Sequence, residues 1–429
     1  MKRQWSGSLG FVLAAAGSAI GIGNIWKFPK VAFEGGGGAY LLVYLLIAAI
    51  LGTSILIAEF VLGRGTGRTM LCAFEKPWRW VGYLGTATAF LVLCYYYQAG
   101  GWILRYLFGY IQSPKLMLSQ PGQIYETMLG NGGFPFLGGL ICPAIYILMN
   151  ILVVRMGLIR GAERLSRIAM PLLFLLLAVL MARSLTLDGA GAGLAFLLTV
   201  DFKALGMKGV LSALGQAFFS LSIGMSVMVT YGSFLKKEEP LAKNAAWVCA
   251  LDTLSALMAA FLVIPAVFAS GSLPQGGGSF AFVEIAAVFR SMPLGGLFGL
   301  LFYALLFLAA FVSSVSILEG VLSCFEERWG LSRTGTSIAV SLVALLIGIL
   351  YSGSYLHGGF SDFLESLTDR YLMPLTALFT CLYLTSVFKM ERAKLELGGR
   401  GALFSLWRAI ISVLSPVLIL LILIFSLLG

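Results

Sequence analysis

Two short stretches and one carboxylate hold the residues best suited to chemistry in this chain. Residues 17–24 read Gly-Ser-Ala-Ile-Gly-Ile-Gly-Asn, and residues 218–226 read Phe-Phe-Ser-Leu-Ser-Ile-Gly-Met-Ser, each inside a long apolar run. Glycine costs about 1 kcal/mol relative to alanine in a helix interior. Three glycines and an amide therefore weaken the first run at its middle, and a glycine flanked by hydroxyls weakens the second. Non-helical backbone at membrane depth survives only where it lines a cavity or is buried in protein. Small residues also let helices pack closely, and that reading serves equally well for either stretch alone. Asp252 lies in a further apolar run. An intramembrane carboxylate costs a few kcal/mol and points to a functional pathway; the plainer alternative sets it near an interface, reaching water.

These residues suit binding and passage better than covalent catalysis. The chain holds no HExxH, no GxSxG and no His/Cys cluster, so an intramembrane enzyme lacks its catalytic pair. No GxxxxGK[ST] loop is present, and ATP-driven transport would need a separate subunit. Among the other polar residues in apolar runs, Glu59 and Glu319 are expected to partner backbone or neighbouring helices. Tyr95, Tyr96 and Tyr97 lie mid-run, and Tyr96 alone is assigned to the site. His357, the sole histidine, falls in an outer loop, and Pro265 and Pro374 are expected to kink helices.

The elements that position these residues follow from composition. Of 429 residues, 59% are hydrophobic and 11% charged, against about 25% charged in a soluble domain. Apolar runs recur from end to end, so one all-α polytopic membrane domain, 1–429, is expected. Eleven spans are read near 8–29, 38–63, 81–111, 136–154, 162–183, 209–234, 243–270, 294–325, 335–352, 362–388 and 403–428. Residues 191–200 form a run too short to span and are placed as an interfacial or re-entrant piece of a loop. With the N-terminus inside, 20 of the 29 basic residues fall on the cytoplasmic side. A miscounted helix would destroy this bias. The net charge of +10 thus reports topology, not nucleic acid. The first apolar run is a retained helix rather than a signal peptide, and an odd span count puts the C-terminus outside. The six cysteines are scattered singly and read as small core residues. The weakened runs are spans one and six, which head two five-helix halves (about 8–183 and 209–388, with 403–428 extra) and enter from opposite sides. That is the arrangement of an inverted repeat with a midplane site.

Residues 5–67, with GSAIGIGNIWKFP, GGGGAY and AEFVLGR, resemble the neurotransmitter:sodium symporter family. So do CYYYQAGGW, GQAFFSLSIGM and AAFVSSVSILE further on. The motifs run through most of the chain in the family's order, and bacterial members with eleven helices are the nearest in pattern. The resemblance implies a LeuT-type fold, a cell (inner) membrane location and sodium-coupled symport of hydrophobic L-amino acids. It implies a first sodium held by the Ala19 carbonyl, Asn24, Ser220 and Asp252 with the substrate carboxylate. A second would take the carbonyls of Gly17, Ile20 and Ala309 with Ser313. The substrate pocket would be lined by Ser18, Ala19, Ile22, Gly23, Val92, Tyr96, Phe219, Ser220, Ser222, Met225 and Ile317. Tyr96 and the amides near Gly21–Gly23 would bind the carboxylate. Lys27 with Glu365 would form the outer gate, and Lys2, Trp5 and Glu327 the inner.

The chain departs from the family at three points. Lys27 and Glu365 replace an Arg/Asp pair and lose its bidentate fork. Val312 replaces a threonine of the second sodium site, which leaves one or two ions. Met225 replaces a pocket phenylalanine. Asp252 stands where chloride-dependent relatives carry asparagine, so no chloride is expected. Apart from the amino acid and membrane lipid, no nucleic acid and no obligatory protein partner is implied. A substrate sensor or a channel of the same fold is the alternative.

Overall fold

The computed structural model describes residues 4–129, 136–271, 280–355, 358–399 and 401–428; His357 lies outside them. Among the described residues, eleven long helical segments, two of them broken, form the bundle. These are α1a (Ser8–Ala19) with α1b (Gly23–Glu34), α2 (Gly38–Thr66), α3 (Arg79–Gln112), α4 (Gly138–Arg155) and α5 (Leu158–Leu185). There follow α6a (Phe202–Ser220) with α6b (Val227–Ser233), α7 (Leu241–Ser270), α8 (Gly295–Trp329), α9 (Arg333–Ser354), α10 (Phe360–Leu397) and α11 (Ala402–Leu427). Among the described residues, eight single helices and the bent α1 pair are long and apolar enough to cross a membrane. The other two owe their lower hydropathy to the site. α3 carries Tyr95, Tyr96, Tyr97 and Gln98 on a 34-residue helix, about 51 Å long at 1.5 Å per residue and ample to span. α6 is divided by its own break.

Both breaks arise where glycine and serine weaken the ladder. α1a and α1b meet at 54°, with Ile20 in an extended conformation (φ −73, ψ 103) between them. Between α6a and α6b the chain takes left-handed conformations at Ser222 (φ 53), Gly224 (φ 78) and Ser226 (φ 71). Two non-glycine residues there hold costly backbone, which persists only where its surroundings impose it.

The packing repeats itself across the two halves. α6b lies along α2, and α1a lies along α7, so the helix after each broken helix supports the other half's break. The α2–α6b approach is backbone-close. A Cβ on Gly63 would fall 1.9 Å from the Val229 carbonyl oxygen, and one on Gly232 would fall 2.9 Å from the Phe60 backbone. α3 packs against α8 and α9. The short run before α6 folds as a helix, Ala190–Leu198, laid on α7, and Val200 bridges to Gly37 in the glycine turn. The expected loop piece is therefore a short helix packed on α7. All six cysteines are free.

Candidate substrate and ion site

The α1 break brings Asn24 to the carboxylate of α7. Asn24 Nδ2 donates to Asp252 Oδ1 at 2.7 Å, to the Asp252 carbonyl at 3.1 Å and to Ser220 Oγ at 3.0 Å. Ser220 Oγ lies 3.0 and 2.9 Å from the two Asp252 carboxylate oxygens, and Asn24 Oδ1 accepts from the Gly21 amide at 3.1 Å. Helices α1, α6a and α7 thus converge on one buried acid. A carboxylamide presents oxygen or nitrogen with nearly the same shape. With its oxygen turned inward, the cluster is all oxygen and carries one negative charge, a set suited to a hard cation.

A second cluster gathers on the Ser18 carbonyl, which accepts from Ser313 Oγ at 2.9 Å and Ser222 Oγ at 3.2 Å. Among the described residues, the buried Ser18 hydroxyl has no partner. Gly17, Ile20 and Ala309 are buried alongside. Val312 packs on this cluster, because a Cβ on Gly17 would lie 2.6 Å from its Cγ1. A methyl therefore faces Gly17 where a hydroxyl would have added an oxygen, and the set suits a cation less well than the first.

Between the clusters the Ile22 amide donates to Tyr96 Oη at 3.0 Å. The glycine before it is a steric requirement: a Cβ on Gly21 would sit 2.1 Å from Tyr96 Oη. Gly23 is likewise pressed on Phe219, whose ring would lie 2.5 Å from an added Cβ. Its carbonyl accepts from Gln216 Nε2 at 3.1 Å. Val92 and Ile317 are buried one turn from Tyr96 and Ser313, and Ala19 and Met225 are buried within the two breaks. The α6 break is held from behind by Glu59, whose Oε1 accepts the Gly224 amide at 2.8 Å. Glu59 and Glu319 are therefore framework groups; Glu319 Oε1 accepts from Ser323 at 3.2 Å, and Oε2 pairs with Arg333.

A cavity of about 180 Å³ adjoins this site, lined among others by Ile22, Gly23, Tyr96, Phe219, Lys27, Glu365 and Asp369. Here the structure corrects the sequence reading. Lys27 Nζ pairs with Asp369 Oδ2 at 2.6 Å and lies 4.2 Å from the Phe219 ring centre. Glu365 instead accepts from the Tyr351 hydroxyl at 2.5 Å. The two acids are four residues apart on α10 and share a face, so only the approach of α1b selects between them. Asp369 and Gln216 are the members that sequence reasoning missed. Gln216 had a signal, an intramembrane amide one turn before Ser220.

The opposite end carries its own set of contacts. Trp5 is buried, with its indole Nε1 donating to the Tyr231 carbonyl at 3.0 Å. Ser6 and Ser8 donate to Glu163 and Glu239. Glu327 does not meet Trp5 through a hydrogen bond; it accepts from the Thr69 amide and hydroxyl at 2.7 and 2.6 Å. It lines a pocket of about 300 Å³ with Glu326, Ser233 and Ser323. Lys2 lies outside the described residues.

A helical membrane bundle whose two broken helices meet at a buried carboxylate has the build of a carrier. The sequence model of the sodium:neurotransmitter symporter family matches residues 2–129 and 123–429. The chain belongs to that family. It is 37% identical over 396 residues to the uncharacterized sodium-dependent transporter YhdH of Bacillus subtilis, covering 89% of this chain and 87% of that one. It is 30% identical to an uncharacterized sodium-dependent transporter of Haemophilus influenzae, covering 99% and 98%. It superposes on a crystal structure of MhsT in complex with L-phenylalanine with a TM-score of 0.91 and 36% identity, over 99% of this chain and all of that one. The protein is accordingly a multi-pass sodium-dependent symporter of LeuT-type fold, and not an enzyme.

Proposed function

We propose that this symporter imports hydrophobic L-amino acids across the cell membrane by alternating access, coupled to one or two sodium ions and independent of chloride. The observation that carries the substrate class is Gly21 beneath the Tyr96 hydroxyl, with no room for an added Cβ. A ligand lacking an acid would need a protein carboxylate at this break, and none fits. The ligand therefore brings its own carboxylate, bound by Tyr96 and the amides at Gly21–Gly23. Val92, Phe219, Met225 and Ile317 surround an apolar side chain, with Ser18, Ala19, Ile22 and Ser222 completing the pocket. The L-phenylalanine bound in the similar MhsT structure supports this reading.

The first sodium is assigned to the Ala19 carbonyl, Asn24, Ser220 and Asp252, completed by the substrate carboxylate. The second is assigned to the carbonyls of Gly17, Ile20 and Ala309 with Ser313. When bound, sodium supplies the positive charge that draws the substrate carboxylate into the breaks. Lys27 with Asp369 gates the outer side; Trp5 and Glu327 belong to the inner, with the N-terminus cytoplasmic and the C-terminus outside. The test is uptake of labelled leucine and phenylalanine into proteoliposomes, with sodium or potassium outside. Uptake that requires the sodium gradient, and that a monoamine fails to inhibit, is the expected result. Binding without uptake would make the protein a sensor. Sodium flux without substrate would make it a channel. Equal competition by a monoamine would overturn the substrate class.

A further inference from the structure

We propose that the turn joining α4 to α5 is a binding site for an anionic phospholipid. Its headgroup phosphate sits on three arginines and its acyl chains cover the apolar side chains beside them. Arg155 ends α4, and Arg160 and Arg164 lie four residues apart in the first turns of α5, neighbours on the helix surface. All three are exposed, and among the described residues none has an acidic partner. The nearest acid in sequence, Glu163, is already engaged by Arg167 at 2.7 Å and by Ser6. Three unpaired guanidiniums on one short turn are a strong locus for phosphate, which each can grip through paired N–H groups.

Two further features point to a lipid rather than a free anion. Leu152, Met156, Ile159 and Ile168 alternate with the arginines and are 53%, 55%, 49% and 64% exposed. These side chains face the bilayer at the end of two spans, which sets the arginines at headgroup level, where one phospholipid can bring a phosphate to the cations and its acyl chains to the apolar side chains. The turn itself is open. Gly157 takes φ +85 and an added Cβ there would meet nothing within 4 Å, so a headgroup can approach the backbone where α5 begins and its first amides are free. The site also adjoins Glu163 and Arg167, which hold Ser6, so the lipid anchors α5 beside its contact with the N-terminal segment.

The test is native mass spectrometry of the full chain in detergent, titrated with phosphatidylglycerol, phosphatidylcholine or inorganic phosphate. The variant carries Arg155→Gln, Arg160→Gln and Arg164→Gln together. The control carries Arg392→Gln, Lys394→Gln and Arg408→Gln. Each basic residue near an anionic headgroup strengthens binding about fivefold, so the triple variant should lose phosphatidylglycerol at least about tenfold. The control should retain it, and a triple Arg→Lys variant, which keeps the charge but loses the paired N–H groups, should fall between wild type and the Arg→Gln variant. Equal retention of the two lipids by the wild type would overturn the proposal, as would unchanged retention by the Arg→Gln variant. Displacement of the lipid by inorganic phosphate at matched concentration would reassign the turn as a free-anion site.

Discussion

At the scale of single residues, the site depends on atoms that are absent as much as on those present. Gly21 has no Cβ because Tyr96 Oη occupies that space. Gly21→Ala must push Tyr96 away from the Ile22 amide, which removes the proposed carboxylate-binding pair. Amino-acid binding measured by equilibrium dialysis should fall at least about tenfold, the scale of losing a hydrogen bond to a charged group, while the variant still elutes as a folded protein. Undiminished binding would show that the carboxylate is held elsewhere. Val312 offers the opposite case, a ligand missing from the proposed second cation set. A buried cation needs its lost hydration replaced, so Val312→Thr should strengthen the apparent sodium affinity of substrate binding. An unchanged or weaker sodium response would mean that water or another residue already fills the gap.

At the scale of elements, ion pairs tie helices together with very different strength. Lys27 on α1b and Asp369 on α10 close one end, and Lys27 remains 40% exposed. An exposed pair contributes little, about 0–1 kcal/mol. Asp369→Asn should therefore speed release of bound substrate by only a few-fold, in a dilution experiment with labelled amino acid. Glu365→Gln should change it less, since its partner is Tyr351. A larger effect at Glu365 would restore that residue as the gate. By contrast, Arg333 at the start of α9 joins Glu319 and Glu326 of α8 and donates to the Val154 carbonyl of α4 at 2.6 Å. Glu319 is fully buried. Arg333→Ala leaves that carboxylate unpaired and should destabilise the protein by about 3–5 kcal/mol, read as a lowered melting temperature in detergent. Pairing Arg333→Met with Glu319→Gln should recover much of that loss, because no buried charge is then left alone.

At the scale of the whole molecule, the question is how charge is balanced across a transport cycle. The substrate's carboxylate and ammonium cancel, so each bound sodium needs a negative partner, and an unpaired buried ion is expensive. In the proposed function Asp252 supplies one from within the chain, at the junction of α1, α6a and α7. Replacing chloride with gluconate at constant sodium should leave uptake in proteoliposomes unchanged. Asp252→Asn should abolish most sodium-dependent binding. A large loss of transport without chloride would show that Asp252 is not the compensating charge.

Much of this was legible in the chain itself. Long apolar runs and the uneven placement of arginine and lysine are local properties, and they specify helices, their number and the membrane. The two breaks were legible too, because Gly17, Gly21, Gly23 and Gly224 weaken a helix wherever it packs. Asp252 was singled out because a carboxylate in an apolar run is costly in any fold. What sequence could not decide was contact between distant segments. Glu365 and Asp369 share a helix face and a charge, and only the arrival of α1b gives Lys27 to one and leaves the other to Tyr351. Gln216 meets Gly23, and Glu59 meets Gly224, across separations that no local pattern encodes. Such pairings are properties of packing: they come into being only when the helices are brought together.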